Sequence, residues 1–192
     1  MTIACTLQVV GQLADVLVSN RYNPEYLSVS YIIDAQQFFS SCHKHPRTWQ
    51  RLQSLTLTSA FLQQENHPKD IGTLLRNASE SALHMPKLIC MTLWYGTKEQ
   101  AAAFIFQRDE ACTKATLTWR GTWIYEIGDD VVEAWKGLVT DTCQFQVKYE
   151  DLQGVDIASH GDAIHHLRLP DRVIGPESIR QIREEGRIPR KA

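Results

Sequence analysis

Apolar residues alternate with other residues in several short stretches of the chain, and this alternation is typical of β-strands. The stretch Leu52–Leu57 has leucine at its first, fourth and sixth positions. Leu88–Leu93 repeats the spacing with methionine at the fourth position, and Ile164–Leu169 repeats it again. Each stretch predicts a strand that sends alternate side chains into the core, while the others form an open sheet face.

These three stretches match the Leu-x-x-Leu-x-Leu pattern of leucine-rich repeats. With weaker strand patterns included, the predicted strand centres at 27, 55, 91, 117, 145 and 167 are separated by 28, 36, 26, 28 and 22 residues. Most of these spacings lie within the repeat period of about 20–29 residues. The pattern predicts an α/β fold, an irregular leucine-rich-repeat-like curved sheet that is mostly parallel and backed by helices. The alternative is a generic α/β domain with leucine-rich strands.

Helical periodicity occupies segments between the strands. The clearest apolar stripe recurs at i, i+3, i+4, i+7 and i+11 and comprises Ile71, Leu74, Leu75, Ala78 and Ala82. Asp70 is a suitable N-cap for this helix, and Pro86 favours a stop before it. Asp129 or Asp130 is a suitable N-cap for a later helix.

Two segments rich in β-branched and aromatic side chains, residues 101–107 and 114–124, flank a polar turn. They predict a β-hairpin insertion that interrupts the repeats.

The length of 192 residues fits a single domain. We expect an N-terminal helix and loop over residues 1–26, the repeat-like region over 27–186 and a basic tail over 187–192. Amphipathic spacing places the N-terminal helix at 3–18, and a final helix should extend from Pro176 to Gly186.

Composition and charge exclude several classes of function. The net charge is -2 at pH 7, so neither nucleic acid nor an anionic membrane surface is an expected partner. No apolar stretch reaches the length of a membrane span. The five cysteines are scattered and odd in number, which favours free thiols in a cytoplasmic protein over a disulfide framework.

Several further stretches carry a recognisable combination of residues. They are Ile33-Asp34-Ala35 with Phe38-Phe39, Trp49 with Leu52–Leu57, Met85–Leu88, Trp119–Trp123 and Ser159–Ile164. Over about residues 27–186 the chain resembles fungal proteins of unknown function that have an irregular leucine-rich-repeat-like domain. Relatives often carry an F-box ahead of this region, which implies a substrate adaptor in ubiquitin ligation. The 26 residues that precede the region here are too short for an F-box, and the resemblance implies no catalytic residue.

The residues between the core positions of the strands should share one sheet face. They are Ser54, Thr56, Thr58, Cys90, Thr92, Trp94, Thr116, Thr118, Arg120, Gln144, Gln146, Lys148, His166 and Arg168. An exposed Trp94 on a strand adjacent to that of Arg120 would suit recognition, because tryptophan and arginine dominate binding energy at interfaces and arginine can hold a carboxylate. The predicted ligand-binding residues are Trp94, Tyr95, Trp119, Arg120, Trp123, Lys148, His166 and Arg168. The alternative is a solvated sheet face with one packed aromatic residue.

The stretch Ser159-His160-Gly161-Asp162 is the best catalytic candidate, with His160 and Asp162 as the reacting pair. Histidine changes charge near neutral pH and a carboxylate can orient it, as acid–base chemistry requires. Ser159 and Asp162 are equally suited to capping a helix or a turn, and this structural role is the alternative.

A second stretch, Cys42-His43-Lys44-His45, contains metal-ligating residue types. A zinc site needs about four ligands in paired groups, and no second group stands at a suitable spacing, so a polar loop is the preferred interpretation. The chain has no P-loop, no Gly-x-Gly-x-x-Gly pattern and no nucleophile elbow. We therefore predict no metal and no cofactor.

The leading functional hypothesis is a solitary binding domain that recognises a protein or a small-molecule ligand on its sheet face. The alternative is a cofactor-independent enzyme, a cyclase, isomerase or lyase of fungal secondary metabolism. It would use an aromatic pocket formed by Trp94, Tyr95, Trp119 and Trp123, with Arg120, His160 and Asp162 as polar groups. A closed pocket that holds Arg120 and His160 favours the enzyme, and a flat exposed sheet favours the binder.

Overall fold

The computed structural model describes residues 13–19 and 23–170. Residues 13–19 are helical and are called α1. The strands are β1 (Tyr26–Asp34), β2 (Ser54–Thr58), β3 (Cys90–Gly96), β4 (Ala101–Arg108), β5 (Lys114–Gly121) and β6 (Gln144–Asp151). The further helices are α2 (Ala35–Lys44), α3 (Pro68–Ala82), α4 (Asp129–Lys136) and α5 (His160–Leu167), with a 3-10 turn at Ala60–Leu62.

The strands form one open six-stranded sheet in which spatial order follows chain order, from β1 to β6. β4 is antiparallel to both of its neighbours, whereas the other neighbouring pairs are parallel. The predicted hairpin is therefore β4 and β5, and both strands belong to the sheet. Two hairpin turns in succession restore the original chain direction, so β6 can pair with β5 in parallel. The α/β class is confirmed.

One face of the sheet carries the larger core. The alternating strand residues Leu55, Leu57, Met91, Leu93 and Leu117 are fully buried there, as period-two alternation predicts. Phe145 and Val147 pack against the same core. The apolar stripe of α3 is also buried in it, and α2 and α4 contact α3 on either side.

Two predicted helix caps are wrong by a few residues. His67 caps α3, because Pro68 occupies the first helical position and Asp70 lies within the first turn. Gly128 occupies the N-cap position of α4, and both aspartates lie inside that helix. Acidic residues in a first turn still interact favourably with the positive end of the helix dipole.

The prediction of a strand at Ile164–Leu169 is wrong, because this stretch lies mostly within α5. Its apolar residues at positions one and four have the spacing of a helix, whereas only positions four and six have the spacing of a strand, and the Ser159 cap favours the helix. Leu167 consequently lies in a smaller core on the opposite face of the sheet, with Leu169 packed against it. The predicted single core is thus divided in two.

The helix predicted at 3–18 agrees with the helical residues 13–18, and its first part lies outside the described residues. The helix predicted at 176–186 and the basic tail also lie outside them. Among the helices that the structure describes, none combines the length and the apolar character needed to cross a membrane.

Candidate functional site

The second face of the sheet contains the polar strand residues that the sequence predicts for it. α5 packs across β3 and β4 on this face, and Thr56, Thr92 and Trp94 are almost entirely buried. The prediction of an exposed Trp94 is therefore wrong, because a helix covers that part of the sheet. His166 and Arg168 do not belong to a strand, since His166 lies in α5 and Arg168 is its C-cap. Lys148 is exposed on the edge strand β6.

Trp94 and Arg120 share this face but do not lie on adjacent strands. Trp94 pairs with Ala103 of β4, and Ala103 pairs with Arg120 of β5. Because the hairpin was interpreted as an insertion, the position of β4 between β3, which holds Trp94, and β5, which holds Arg120, was not predicted. The small Ala103 side chain is buried in the same core as α5 residues.

Arg120 is bonded within the protein. Its Nε donates to Glu150 at 2.7 Å. One terminal nitrogen donates to the carbonyl oxygen of Arg168 at 2.9 Å and to that of Leu167. These two carbonyl groups lie at the carboxyl end of α5, where backbone acceptors need partners. Arg120 thus fastens the end of α5 to β5.

We expect Arg120→Ala to lower the free energy of unfolding by about 1–3 kcal/mol, because it leaves the part-buried carbonyl group of Leu167 without its donor. Urea unfolding measures this. Lys148→Ala is the matched control, because it removes an exposed cation from the next strand and should change stability by no more than about 0.5 kcal/mol. Unchanged stability in Arg120→Ala would contradict the fastening role and favour a role in ligand binding.

The predicted aromatic residues are divided between the two faces. Trp119 and Trp123 pack in the larger core with ring centroids 5.0 Å apart. Tyr95 packs against that core as well, and its hydroxyl accepts a hydrogen bond from Gln63. Trp94 lies on the opposite face because successive strand residues alternate. The structure therefore does not bring these four aromatic side chains into one pocket.

The stretch that begins at Ser159 starts α5. The Ser159 hydroxyl accepts a hydrogen bond from the backbone nitrogen of Asp162 at 3.1 Å and donates to its carboxylate at 2.9 Å. Asp162 is buried. This arrangement satisfies one backbone donor at the start of the helix, so the capping interpretation is confirmed for Ser159, while Asp162 lies in the first turn and holds the Ser159 hydroxyl.

His160 takes part in a different set of contacts. Its Nδ1 lies 2.8 Å from the carbonyl oxygen of Gly96. A carbonyl can only accept, so Nδ1 carries the proton in this contact and Nε2 of the neutral ring is an acceptor. A Cβ atom at Gly96 would come within 2.7 Å of the Ala163 Cβ. The glycine therefore allows α5, and with it His160, to approach the end of β3 closely.

His160, Trp94 and Tyr31 form a cluster of three rings, named here the aromatic cluster. The His160 ring stacks on Trp94 at a centroid distance of 5.9 Å. Tyr31 meets both rings edge-on, at 4.6 Å from His160 and 5.3 Å from Trp94. The cluster lies at the carboxyl ends of β1 and β3, where Asp34 and Gly96 end these strands.

Tyr31 has an unusual backbone. Its φ of 62° is left-handed, a conformation that is costly for a bulky residue. It lies where the register of β1 shifts between Val29 and Asp34, and its nitrogen donates to the Thr58 hydroxyl at 2.8 Å. Such strain is concentrated at functional sites in proteins.

The Tyr31 side chain covers the cluster and remains 51% exposed as a residue. Its hydroxyl lies 3.2 Å from His160 Nδ1 and 3.4 Å from the Gly96 oxygen. Burial of the hydroxyl, and secondarily the nearby Tyr95, raise the pKa of Tyr31 above its ordinary value. The hydroxyl is therefore a neutral donor, and it shares the Gly96 acceptor with His160.

The Trp94 indole is a fully buried polar group of the cluster that is not satisfied. Trp94 is 0% exposed, and its Nε1 has no hydrogen-bond acceptor among the described residues. An unpaired buried donor costs about 1–3 kcal/mol. By contrast, the indole nitrogens of Trp119 and Trp135 donate to the carbonyl oxygens of Trp123 and Leu75, each at 3.1 Å.

Sequence reasoning missed Tyr31 as a site residue. The signal was present, because Tyr31, Ile32 and Ile33 are three consecutive large residues at the end of an alternating stretch. A break in alternation of this kind indicates a β-bulge, and bulges redirect side chains near sites.

The Cys42–His45 stretch is engaged in surface contacts. His43 lies 3.0 Å from Glu80 and His45 lies 3.9 Å from Asp15. Burial raises the pKa of Cys42 to about 12. Within residues 13–19 and 23–170, no three His, Cys, Asp or Glu side chains are grouped so that they could hold a metal ion.

The fold and the aromatic cluster define an open, mixed α/β sheet domain with a ring cluster at the carboxyl edge of its strands. A family model matches residues 4–175, and the chain belongs to that family, a family of unknown function (DUF6546). Searches of the curated proteins and of the solved structures find no match. The resemblance to an uncharacterised family is confirmed at this level, while the fungal origin, the repeat character and the F-box context stay predictions.

Proposed function

We propose that this protein is a binding domain for a protein or a small-molecule ligand, and that the ligand enters the aromatic cluster. The observation that carries the proposal is the buried Trp94 indole nitrogen that lacks an acceptor among the described residues. A ligand oxygen, from a carbonyl or a carboxylate, would supply that acceptor. This chemistry is common to peptides and to small acids or amides.

Tyr31 would have to move for such a ligand to reach Trp94. The left-handed backbone of Tyr31 favours displacement of its side chain, because leaving that conformation releases about 1–3 kcal/mol of strain. The residue is half-exposed, so its displacement gives up the edge contacts with Trp94 and His160 and the hydroxyl contacts but no fully buried side chain. The strained residue therefore acts as a cover that a ligand replaces at low cost.

His160 would contribute a second polar group to the same site. With Nδ1 held by the Gly96 carbonyl, the neutral ring offers Nε2 as an acceptor for a ligand N–H or O–H. A ligand that carries both an acceptor oxygen and a donor would therefore be preferred, and an amide group or a protonated acid meets that requirement. Pockets that combine aromatic walls with a few such polar groups are typical of ligand sites.

The indole nitrogens give a direct test. The protein is labelled with ¹⁵N-tryptophan and titrated with carboxylic acids, primary amides and short peptides in NMR experiments. We expect the Trp94 Nε1–H signal to move on binding, while the Trp119 and Trp135 signals stay, because these groups already have acceptors.

Variants make the test specific. Trp94→Phe should weaken binding about tenfold, the value of one hydrogen bond of about 1.4 kcal/mol. Tyr31→Gly should strengthen it about tenfold, because the cover and its strain are removed. Trp123→Phe is the matched control, since its indole nitrogen is also buried without a described acceptor but lies on the other side of the sheet. Equal effects of Trp94→Phe and Trp123→Phe would contradict the proposal.

The alternative of a cofactor-independent enzyme has one observation in its favour, the oriented His160 ring with Nε2 able to accept a proton. Arg120 and Asp162, its other polar groups, bond to α5 itself. Trp94 and Trp119 lie on opposite faces of the sheet. The binding function is therefore better supported.

A further inference from the structure

Two cysteines meet where the β4–β5 turn lies beside the start of β6. Cys112 belongs to that turn and Cys143 directly precedes β6. The backbone nitrogen of Gln144 donates to the Thr113 oxygen at 2.9 Å, and Lys114 pairs with Gln144. Thr113, which directly follows Cys112 in the chain, thus lies opposite Cys143.

The spacing of the two cysteines suits a disulfide bond. Neighbouring strands are about 4.8 Å apart and the chain rises about 3.3 Å per residue, so a one-residue diagonal offset gives about 6 Å between Cα atoms, inside the range that disulfides accept. Strict strand alternation would place the Cys112 side chain on the face of the sheet opposite to that of Cys143. Its left-handed φ of 52° breaks the alternation, and each thiol group shifts the pKa of the other.

The turn that holds Cys112 is rigidly bonded. The Asp109 carboxylate accepts hydrogen bonds from the backbone nitrogens of Thr113 at 2.7 Å and Lys114 at 3.0 Å. The Cys112 nitrogen donates to the Asp109 oxygen at 3.0 Å. Cys112 and Cys143 are both half-buried, so small reagents can reach them.

The two thiols differ in acidity. Burial acts to raise the pKa of Cys112, but hydrogen bonds with Arg108, the Thr140 backbone and Cys143, together with the Arg108 charge, outweigh it, so the pKa is lowered. Burial and the adjacent Cys112 raise the pKa of Cys143. A thiolate is the attacking species in thiol chemistry, which makes Cys112 the nucleophile and Cys143 the second thiol.

We propose that Cys112 and Cys143 form a thiol–disulfide exchange site for small disulfides such as glutathione disulfide. The Cys112 thiolate attacks one sulfur of glutathione disulfide, whose S–S bond breaks, and a glutathione thiolate leaves. Cys143 then loses its proton and attacks the Cys112 sulfur, and the second glutathione thiolate leaves. The two cysteines are oxidised to a disulfide, one glutathione disulfide is reduced to two glutathione molecules, and excess glutathione reverses the exchange. The site is independent of the aromatic cluster.

The test exposes the full chain to glutathione redox buffers, blocks the remaining thiols by alkylation and maps the peptides by mass spectrometry. We expect a Cys112–Cys143 linkage in oxidising buffer that reverses in reducing buffer. In the reduced protein, Cys112 should be alkylated at least about tenfold faster than Cys42, whose burial suppresses the thiolate.

Two variants separate the roles of the cysteines. Cys143→Ser should trap one glutathione on Cys112, because the second attack cannot occur, whereas Cys112→Ser should leave Cys143 largely unmodified. Circular dichroism checks that both variants fold. The proposal is overturned if folded protein forms no Cys112–Cys143 linkage in oxidising buffer, or if Cys112 reacts no faster than Cys42.

Discussion

Trp135→Ala should lower the free energy of unfolding by about 3–5 kcal/mol, the range for removing a large aromatic side chain from a core. Trp135 is fully buried on α4. Its ring lies 5.2 Å from that of Phe104 and 4.9 Å from that of Phe106, both on β4. Its indole nitrogen donates to the Leu75 carbonyl of α3 at 3.1 Å. One side chain thus joins two helices to the sheet, and urea unfolding measures its contribution.

Trp135→Phe separates the packing of the ring from its hydrogen bond. It keeps most of the aromatic volume between α4 and β4 but leaves the Leu75 carbonyl without the indole donor. A loss of about 1–3 kcal/mol is expected, clearly smaller than that of the alanine variant. Equal losses of stability in Trp135→Ala and Trp135→Phe would mean that the indole hydrogen bond, and not the packing of the ring, accounts for the stabilisation.

Leu93→Ala should cost about 2–5 kcal/mol, because it removes a fully buried side chain and leaves a cavity that the sheet cannot close. Leu93 lies within β3, between Leu57 of β2 and Phe104 of β4, and it is 0% exposed. Urea unfolding with tryptophan fluorescence as the probe gives the change in free energy.

Leu83→Ala is the matched control for Leu93→Ala. It is the same substitution at the end of α3, where the side chain is 64% exposed, so the expected change is within about 0.5 kcal/mol. A loss in Leu93→Ala no larger than that in Leu83→Ala would contradict the packing of β3 in the larger core.

Period-two alternation was sufficient to predict β2 and β3, and the helical stripe was sufficient to predict α3. In α3 one long stripe fits a helix alone, and in β2 and β3 β-branched threonines stand between the apolar residues. Ile164–Leu169 has the same apolar positions one, four and six, which fit a helix turn as well as a strand, but histidine and arginine stand between them. The Ser159 cap, which lies outside the six residues, decides between the two.

The site was harder to predict because it depends on contacts between distant parts of the chain. Alternation placed Trp94 and Arg120 on one face correctly. Whether that face meets solvent depends on α5, which lies far along the chain. Tyr31 joins the cluster through a register shift in β1, and the break in alternation at residues 31–33 indicates the bulge but not the rings that Tyr31 meets. The composition of the sheet face was therefore predictable, and its burial was not.

The strand order has a consequence for how the chain folds. Each strand pairs with the strand next to it in sequence, so the sheet can form step by step, with the β3–β4 and β4–β5 hairpins as its most local pairs. α5 is the exception, since it returns from beyond β6 to pack on β3 and β4. Its docking has to wait for those strands. Reversal of that last step alone would yield a partially unfolded form that keeps the larger core and uncovers the Trp94 face.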